Sequence, residues 1–199
     1  MDGYASDGAA MITSGMKVTY KAGLPRAIIA DTEVLCNAPI EMIKAGYGDI
    51  IGKFSALNDW KLATCVNGEY FCKYIYDTTY DMILKTLDVA SGLLERDENS
   101  VKILTEALMI VGIMMSFATT SRPASGSEHH LSHFFEITGI INGEEYFPHG
   151  IDVVYSTVIT AKIREIILNS EFPKKSFVMD RCNYENKMAE VYNVIKDEC

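Results

Sequence analysis

The four histidines of this chain lie close together in a sequence of 199 residues. His129 and His133 are four positions apart, so they share one face of a predicted helix, whereas the adjacent His130 points away by ~100°. His149 stands at the predicted start of another helix. Imidazole groups placed in this way can bind a metal ion or move a proton, because histidine changes its charge near neutral pH.

A metal held by two histidines needs a third protein ligand from another part of the chain. Catalytic zinc sites usually use three protein groups and leave a fourth position open for water or substrate. Asp49 is the best candidate, because it follows Gly46-Tyr47-Gly48 at a predicted helix start. Glycines permit a sharp turn of the backbone there, and the helix dipole favours the ionised carboxylate.

Each of these patterns also has a plain structural explanation. An aspartate at a helix start is commonly an N-cap, and histidines four positions apart also occur as solvated or core pairs. Spacing alone therefore leaves two interpretations open, a metal site and ordinary structure.

The charge balance excludes one class of partner. Lys and Arg together number 18 against 27 Asp and Glu, which gives a formal charge of −9. Nucleic-acid backbones are bound by basic patches, so we expect no nucleic-acid partner. The chain shows no apolar signal pattern at its start, and its most apolar run, Ala107 to Ala118, is too short to span a bilayer. We expect a buried helix at that run and no transmembrane segment.

The cysteines favour a reduced, cytoplasmic setting. Their number is odd, and no two of them have the CxxC spacing of a thiolate metal site. Neither a disulfide framework nor a cysteine zinc site is therefore expected. The five are Cys36, Cys65, Cys72, Cys182 and Cys199.

The elements that must position these residues divide the chain in two. Ala10 to Thr13 and Met16 to Tyr20 flank a Ser14-Gly15 turn and predict a β-hairpin. Ala27 to Ala30 is a short apolar run that suits a buried strand. Three short strands do not make an independent domain, so residues 1–36 are predicted to be a β-rich remnant of a larger sheet.

Residues 37–199 are predicted to form a helical domain, which makes the fold class mostly α. Asn37 is expected to cap a first helix, which Gly46 and Gly48 interrupt before a new helix begins at about Asp49. The polar run from Asp97 is expected to cap another helix. Ser125 and Glu128 are placed as a capping box for a further helix. Two more helices are predicted, one beginning near His149 and one after Pro173.

Four blocks of the sequence resemble one known family. They are MDGYAS at Met1 to Ser6, AGYGDII at Ala45 to Ile51, GSEHHLSH at Gly126 to His133, and His149-Gly150. These blocks are similar to those of the sn-glycerol-1-phosphate dehydrogenases. That family belongs to a wider group with iron-containing alcohol dehydrogenases, glycerol dehydrogenases and dehydroquinate synthases. The resemblance runs from residue 1 to about residue 195, and the helices would be the C-terminal bundle of a dehydroquinate synthase-like fold.

The resemblance implies a metal centre. Asp49, His129 and His149 would be the ligands, and the ion would be Zn²⁺ or Ni²⁺, since mixed nitrogen and oxygen ligands suit either. His133 and Asp49 would be the catalytic residues and, with Asp2, would contact the substrate.

The resemblance also implies a reaction. Dihydroxyacetone phosphate would be reduced reversibly to sn-glycerol 1-phosphate by NAD(H) or NADP(H), with Ser6 against the nicotinamide. The metal would act as a Lewis acid on the ketone. Members of the family also carry a Rossmann-like domain with a glycine-rich loop, and that loop is not found in these 199 residues. We therefore expect the chain by itself to bind nucleotide poorly.

Two alternatives remain. The same metal triad could serve a glycerol dehydrogenase or a dehydroquinate synthase-like enzyme, although the GSEH and DGYAS blocks favour the phosphate-reducing branch. The chain could instead be a non-catalytic helical module that binds a metal or a partner, for example a separate nucleotide-binding fragment. A homo-oligomer is the other expected assembly.

Overall fold

The computed structural model describes residues 9–13, 16–20, 25–144 and 147–171, together with residues 182, 185, 186 and 189. Within these residues the chain is mostly helical, which confirms the predicted fold class. Two strands are followed by seven helices: β1 Ala9–Thr13, β2 Met16–Tyr20, α1 Thr32–Cys36, α2 Ile40–Asn67, α3 Lys73–Asp88, α4 Ala90–Leu94, α5 Glu98–Ala118, α6 Ser127–Ile141 and α7 His149–Asn169.

The predicted hairpin is confirmed. Strands β1 and β2 pair antiparallel, with Ala9 opposite Tyr20 and Thr13 opposite Met16. The strand predicted at Ala27 to Ala30 is wrong. That segment forms no strand among the described residues, and Ile29 is 88% exposed, so the segment lies neither on a neighbouring strand nor in the apolar core.

The start and course of the first long helix also differ from the prediction. Asn37 is the C-cap of α1, where its backbone N–H donates to Glu33 O and Leu35 O, and Pro39 is the N-cap of α2. Helix α2 continues without a break through Gly46 and Gly48. Glycine here serves close packing of two helices, so it does not end the helix.

Other helix ends follow local chemistry. Asp97 is the N-cap of α5, as predicted, and its Oδ2 accepts hydrogen bonds from Ser100 N at 2.9 Å and Ser100 Oγ at 2.7 Å. The capping box at Ser125 is wrong in its first member, because Gly126 is the N-cap of α6. Its second member is correct, since Glu128 Oε1 accepts from Gly126 N at 2.8 Å. Of the helix predicted after Pro173, the structure describes only Cys182, Glu185, Asn186 and Ala189, and all four are helical.

The apolar core fills one side of α2. Its side chains come mainly from α2, α3 and α5, and α5 contributes Leu104, Leu108 and Val111, all fully buried. Trp60 is also fully buried and donates from Nε1 to Tyr70 O at 2.8 Å. Among the described helices, α5 alone is long and apolar enough to cross a membrane, and half of that stretch is buried within the fold. The helix predicted at Ala107 to Ala118 is thus confirmed, and its burial holds for one side, since Ile113 and Phe117 are exposed.

The opposite side of α2 packs against α6 and α7. Here the buried side chains are largely polar or charged, which is unusual for a helix interface. They include Asp49, Lys53 and Ser55 of α2, Glu128 and Ser132 of α6, and Ser156 and Thr160 of α7. The histidines lie at this end of the molecule.

Candidate metal centre

Three side chains from three different helices converge at this interface. Asp49 of α2, His129 of α6 and His149 of α7 each offer one ligand atom, and these atoms all lie within 4.8 Å of one another. His129 Nε2 is 3.5 Å from Asp49 Oδ1, and the rings of His129 and His149 have centroids 5.2 Å apart. The three residues expected to ligate a metal are therefore neighbours in space, although 100 positions separate Asp49 from His149 in the chain.

Glycines allow the two long helices to approach this closely. A Cβ atom on Gly150, in the first turn of α7, would lie 1.8 Å from Ala45 O of α2. A Cβ atom on Gly48 would lie 2.3 Å from Gly150 O. Backbone thus touches backbone where α2 and α7 cross, and Asp49 and His149 are the residues next to that contact. Gly48, predicted to help turn the backbone beside Asp49, lies at this helix contact instead.

A buried lysine accompanies the carboxylate of Asp49. Lys53 Nζ donates to Asp49 Oδ1 at 2.7 Å, and the two side chains are 2% and 4% exposed. Burial alone would raise the pKa of Asp49, but the Lys53 ammonium and the His129 ring together outweigh it, and the pKa lies well below its usual range. Asp49 is consequently an ionised carboxylate at neutral pH, the form in which it can bind a cation.

A buried carboxylate accompanies His129 in turn. Glu128 is fully buried, and its Oε1 lies 2.7 Å from His129 Nδ1. Burial would raise the pKa of Glu128, but hydrogen bonds from the His129 ring and the backbone N–H of Gly126 bring it below its usual value. Glu128 Oε1 already accepts from Gly126 N, so it also faces Nδ1 as an acceptor, and Nε2 is the ring nitrogen that faces Asp49.

A polar network that the sequence did not reveal fixes the start of α6. Arg164 Nη2 of α7 donates to Ser55 Oγ and Asp59 Oδ1, both at 2.7 Å, and to Ser127 Oγ at 2.8 Å. Asp59 Oδ2 accepts from Ser127 N at 2.7 Å. The network ties α2, α6 and α7 together two residues before His129. Its members Ser55, Asp59 and Ser127 lie 109, 105 and 37 positions from Arg164 in sequence, so spacing gave no signal for it.

The remaining predicted residues fall in three places. The ring of His133 is 6.2 Å from that of His129 and 5.8 Å from that of His149, so it borders the centre. Potential ligand atoms of His133, Glu136 and His149 also lie within 4.8 Å of one another. His130 is exposed and points away, as the helix period predicts. Asp2 and Ser6 lie outside the described residues.

The donor set fits a divalent cation. Two ligand atoms on a tetrahedral zinc ion, each about 2.1 Å from the metal, are separated by about 3.4 Å, close to the 3.5 Å between His129 Nε2 and Asp49 Oδ1. One carboxylate oxygen and two imidazole nitrogens suit Zn²⁺ or Ni²⁺. These residues could hold such an ion with a position left open for a further ligand.

Comparison with known proteins gives relatives over most of the chain. The iron-containing alcohol dehydrogenase family matches residues 1–39. A glycerol-1-phosphate dehydrogenase [NAD(P)+] of Halalkalibacterium halodurans is 36% identical over 163 residues, which are 82% of this chain and 41% of that protein. A protein of the same name from Geobacillus thermodenitrificans is 35% identical over 188 residues, 93% of this chain and 46% of its own length.

An archaeal relative extends the comparison. The glycerol-1-phosphate dehydrogenase [NAD(P)+] of Methanosarcina mazei is 39% identical over 132 residues, which are 66% of this chain and 37% of the relative. The chain therefore spans less than half the length of these relatives. Over most of its own residues, this chain is a homologue of the glycerol-1-phosphate dehydrogenases, within the iron-containing alcohol dehydrogenase superfamily.

Proposed function

We propose that this chain is the metal- and substrate-binding part of an NAD(P)-linked glycerol-1-phosphate dehydrogenase. The observation that carries the proposal is the convergence of Asp49, His129 and His149 at the crossing of α2, α6 and α7. The names of the relatives supply the reaction and the nicotinamide cofactor. The substrate would be dihydroxyacetone phosphate in one direction and sn-glycerol 1-phosphate in the other.

Asp49, His129 and His149 would hold the cation, either Zn²⁺ or Ni²⁺. A bound divalent ion polarises a ketone oxygen and stabilises the negative charge that develops on it. Lys53 keeps Asp49 ionised, and Glu128 keeps the His129 Nε2 lone pair available. The side chains in the Lys53–Asp49 and Glu128–His129 pairs are largely buried. Water is therefore kept from competing for these contacts, which makes each interaction stronger.

His133 is the proposed proton carrier beside the substrate. Reduction of a ketone to an alcohol consumes one hydride and one proton, and the nicotinamide supplies the hydride. The His133 ring borders both histidine ligands and is only partly buried, so it can exchange its proton with solvent. Asp2 as a substrate contact and Ser6 as a nicotinamide contact remain predictions from the family resemblance.

The partners follow from the same proposal. The part of the relatives that this chain does not match would supply the nucleotide-binding domain, and without it we expect weak binding of NAD(H) or NADP(H). A separate nucleotide-binding fragment or a second copy of the chain are the expected protein partners. A cytoplasmic location fits a soluble substrate and reduced cysteines.

The test is the metal content of the purified chain, measured by elemental mass spectrometry. We expect about one zinc or nickel ion per chain in the wild type, with the ion lost in His129→Ala. His130→Ala is the matched control, because His130 is the exposed neighbour of His129 and should keep the ion. A metal-free wild type, or equal metal in both variants, would contradict the proposed centre.

The reaction needs its own assay. Oxidation of NADPH or NADH by dihydroxyacetone phosphate should be weak with this chain alone and should increase when a nucleotide-binding fragment of a relative is added. Activity of the chain alone would exclude a purely non-catalytic module. A loaded metal site with no activity under either condition would support that alternative.

A further inference from the structure

We propose that Glu128 is the positioning residue that makes His129 a metal ligand. This inference rests on the proposed metal centre, and it assigns a second role, at that centre, to a residue for which sequence spacing predicted only a helix cap. Its action is to hold the proton of the His129 ring on Nδ1, so that Nε2 faces Asp49 and His149 with a free lone pair.

The position of Glu128 separates it from the ligands themselves. Its Oε1 touches the Nδ1 side of the His129 ring at 2.7 Å, whereas Nε2, on the other side, is 3.5 Å from Asp49 Oδ1. Among the described residues, the ligand atoms that converge with Asp49 come from His129 and His149 and not from Glu128. Glu128 therefore acts through His129 and does not coordinate the ion.

The backbone holds this carboxylate in one place. Glu128 Oε1 also accepts from Gly126 N at 2.8 Å, so the N-cap of α6 and the His129 ring share the same oxygen. A Cβ atom on Gly126 would lie 2.9 Å from Glu128 Oε2, and one on Gly52 would lie 3.5 Å from Glu128 Cγ. Two glycines thus leave just enough space for the side chain, and its orientation follows from the close packing.

The second oxygen of Glu128 lies in a buried environment. Glu128 Oε2 is buried and has no hydrogen-bond partner among the residues that the structure describes. A buried carboxylate with one oxygen unsatisfied is costly unless positive charge lies close to it. If His129 held a divalent ion, its polarised ring would offset part of this cost, as in carboxylate–histidine–metal groups, where the carboxylate raises the basicity of the ligand.

The first experiment observes the ring directly in the metal-free chain. Long-range ¹H–¹⁵N correlation spectra report which ring nitrogen carries the proton, and His129→Ala identifies the signals. We expect Nδ1 to carry a proton in the wild type and in Glu128→Gln, whose amide oxygen still accepts, whatever proton Nε2 shares with Asp49, and we expect Nδ1 to lose its proton in part in Glu128→Ala. A wild-type ring with no proton on Nδ1, or an unchanged ring in Glu128→Ala, would overturn the proposal.

The second experiment measures Zn²⁺ affinity by competition with a chromophoric chelator. We expect the affinity to fall ~10–100-fold in Glu128→Ala and by less in Glu128→Gln. Ser132→Ala is the matched control, because Ser132 is equally buried one turn further along α6 and its Oγ has no hydrogen-bond partner in the described residues. Equal affinity in the wild type and Glu128→Ala would overturn the role of Glu128.

The two experiments separate this inference from the proposed function. If the wild type binds no Zn²⁺, the metal centre fails, yet the ring spectra of the metal-free chain still decide whether Glu128 selects the Nδ1–H form. If Zn²⁺ binds with equal affinity to the wild type and all Glu128 variants, the centre stands and the positioning role is wrong. If Glu128→Ala does not fold, the ring spectra and Zn²⁺ affinity of Glu128→Gln, with Ser132→Ala as control, still test the proposal. A ring proton that moves from Nδ1 to Nε2 in Glu128→Gln would contradict the inference that the oxygen of this side chain accepts the hydrogen bond.

Discussion

The two sides of α2 bury different kinds of groups: mainly apolar side chains on one side and charged or polar side chains on the other. On the side of α3 and α5, the helix buries aliphatic and aromatic groups such as Ile50 and Trp60. On the side of α6 and α7, it buries an ion pair and brings its backbone against that of α7 at Gly48. The first interface gains free energy from the apolar area that it buries, and the second has to satisfy each charge it removes from water.

This difference separates stability from function within one helix. An apolar interface tolerates substitutions that conserve volume, because dispersion contacts are many and individually weak. A buried charge depends on one partner, and loss of that partner leaves its full desolvation cost unopposed. We therefore expect substitutions on the α5 side to change the free energy of unfolding alone, and substitutions on the α7 side to change both unfolding and metal binding.

The largest effect is expected for Lys53→Met on the charged side. The substitution keeps most of the side-chain volume but leaves the Asp49 carboxylate buried without its ammonium partner. Breaking a buried pair in this way costs about 3–5 kcal/mol of the free energy of unfolding, which urea denaturation measures.

Lys44→Met on the same helix is the control. Lys44 pairs with Glu41 at 2.9 Å, but both side chains are largely exposed, so we expect a loss below about 1 kcal/mol. Adding Asp49→Asn to Lys53→Met should recover part of the stability, since it removes the unpaired charge. Equal losses for Lys53→Met and Lys44→Met would show that the buried pair has no special weight.

Leu108→Ala tests the apolar side. Leu108 is fully buried on α5, and removing its side chain leaves a cavity that costs about 2–5 kcal/mol. The metal content should stay at the wild-type value, because α5 contributes none of the three candidate ligands. Metal loss at a temperature where Leu108→Ala is still folded would mean that the two sides of α2 are coupled.

Gly150→Ala tests the backbone contact between α2 and α7. A Cβ atom there would meet Ala45 O at 1.8 Å, so the helices must separate, at a cost of about 1–3 kcal/mol. His149 would move with its helix, and we expect metal affinity to fall as well. Gly139→Ala in α6 is the control, because its Cβ would come no nearer than 4.0 Å to another side chain. That change should be neutral or stabilising by up to about 1 kcal/mol, and metal binding should be unchanged.

Acidic pH should reduce the stability contributed by the α2 interface with α6 and α7 before that of the apolar interface. Asp49 and Glu128 have pKa values below those of the unfolded chain, so their stabilisation is present above about pH 4 and is lost as the pH falls through the folded values. The free energy of unfolding of the metal-free chain should therefore decrease from about pH 5 downward. Lys53→Met with Asp49→Asn should show a shallower decrease over the same range, and identical slopes would contradict the assignment.

The sequence predicted the parts of this molecule that depend on short-range patterns. The pairing of the two hairpin strands, the helix at Ala107 to Ala118 and the Asp97 cap follow from local signals, and each is confirmed. The ligand candidates came from side-chain type and the family blocks, and the structure places them together. The break at Gly46 and Gly48 was wrong because a glycine in a helix is ambiguous from sequence, and only the partner helix shows that Gly48 serves a close approach.

Other parts of the site depend on distant residues and gave no local signal. The contacts of Arg164 with Asp59 and Ser127 join helices far apart in the chain, and nothing near Arg164 in sequence announces them. The strand predicted at Ala27 to Ala30 failed for the same reason. An apolar run becomes a strand only where a neighbouring strand offers hydrogen bonds, and the two-stranded sheet of the described residues offers none there.

Two of the candidate metal ligands, Asp49 and His129, each have a charged partner within four residues in the sequence. Asp49 and Lys53 are one helical turn apart, and Glu128 and His129 are adjacent in the chain. Each pair can be transplanted as a short peptide segment, so a protein engineer could place both on an unrelated helical scaffold and would then have to design only the crossing that brings the segments together. The same proximity keeps each ligand and its support on one short stretch of gene, where recombination rarely separates them.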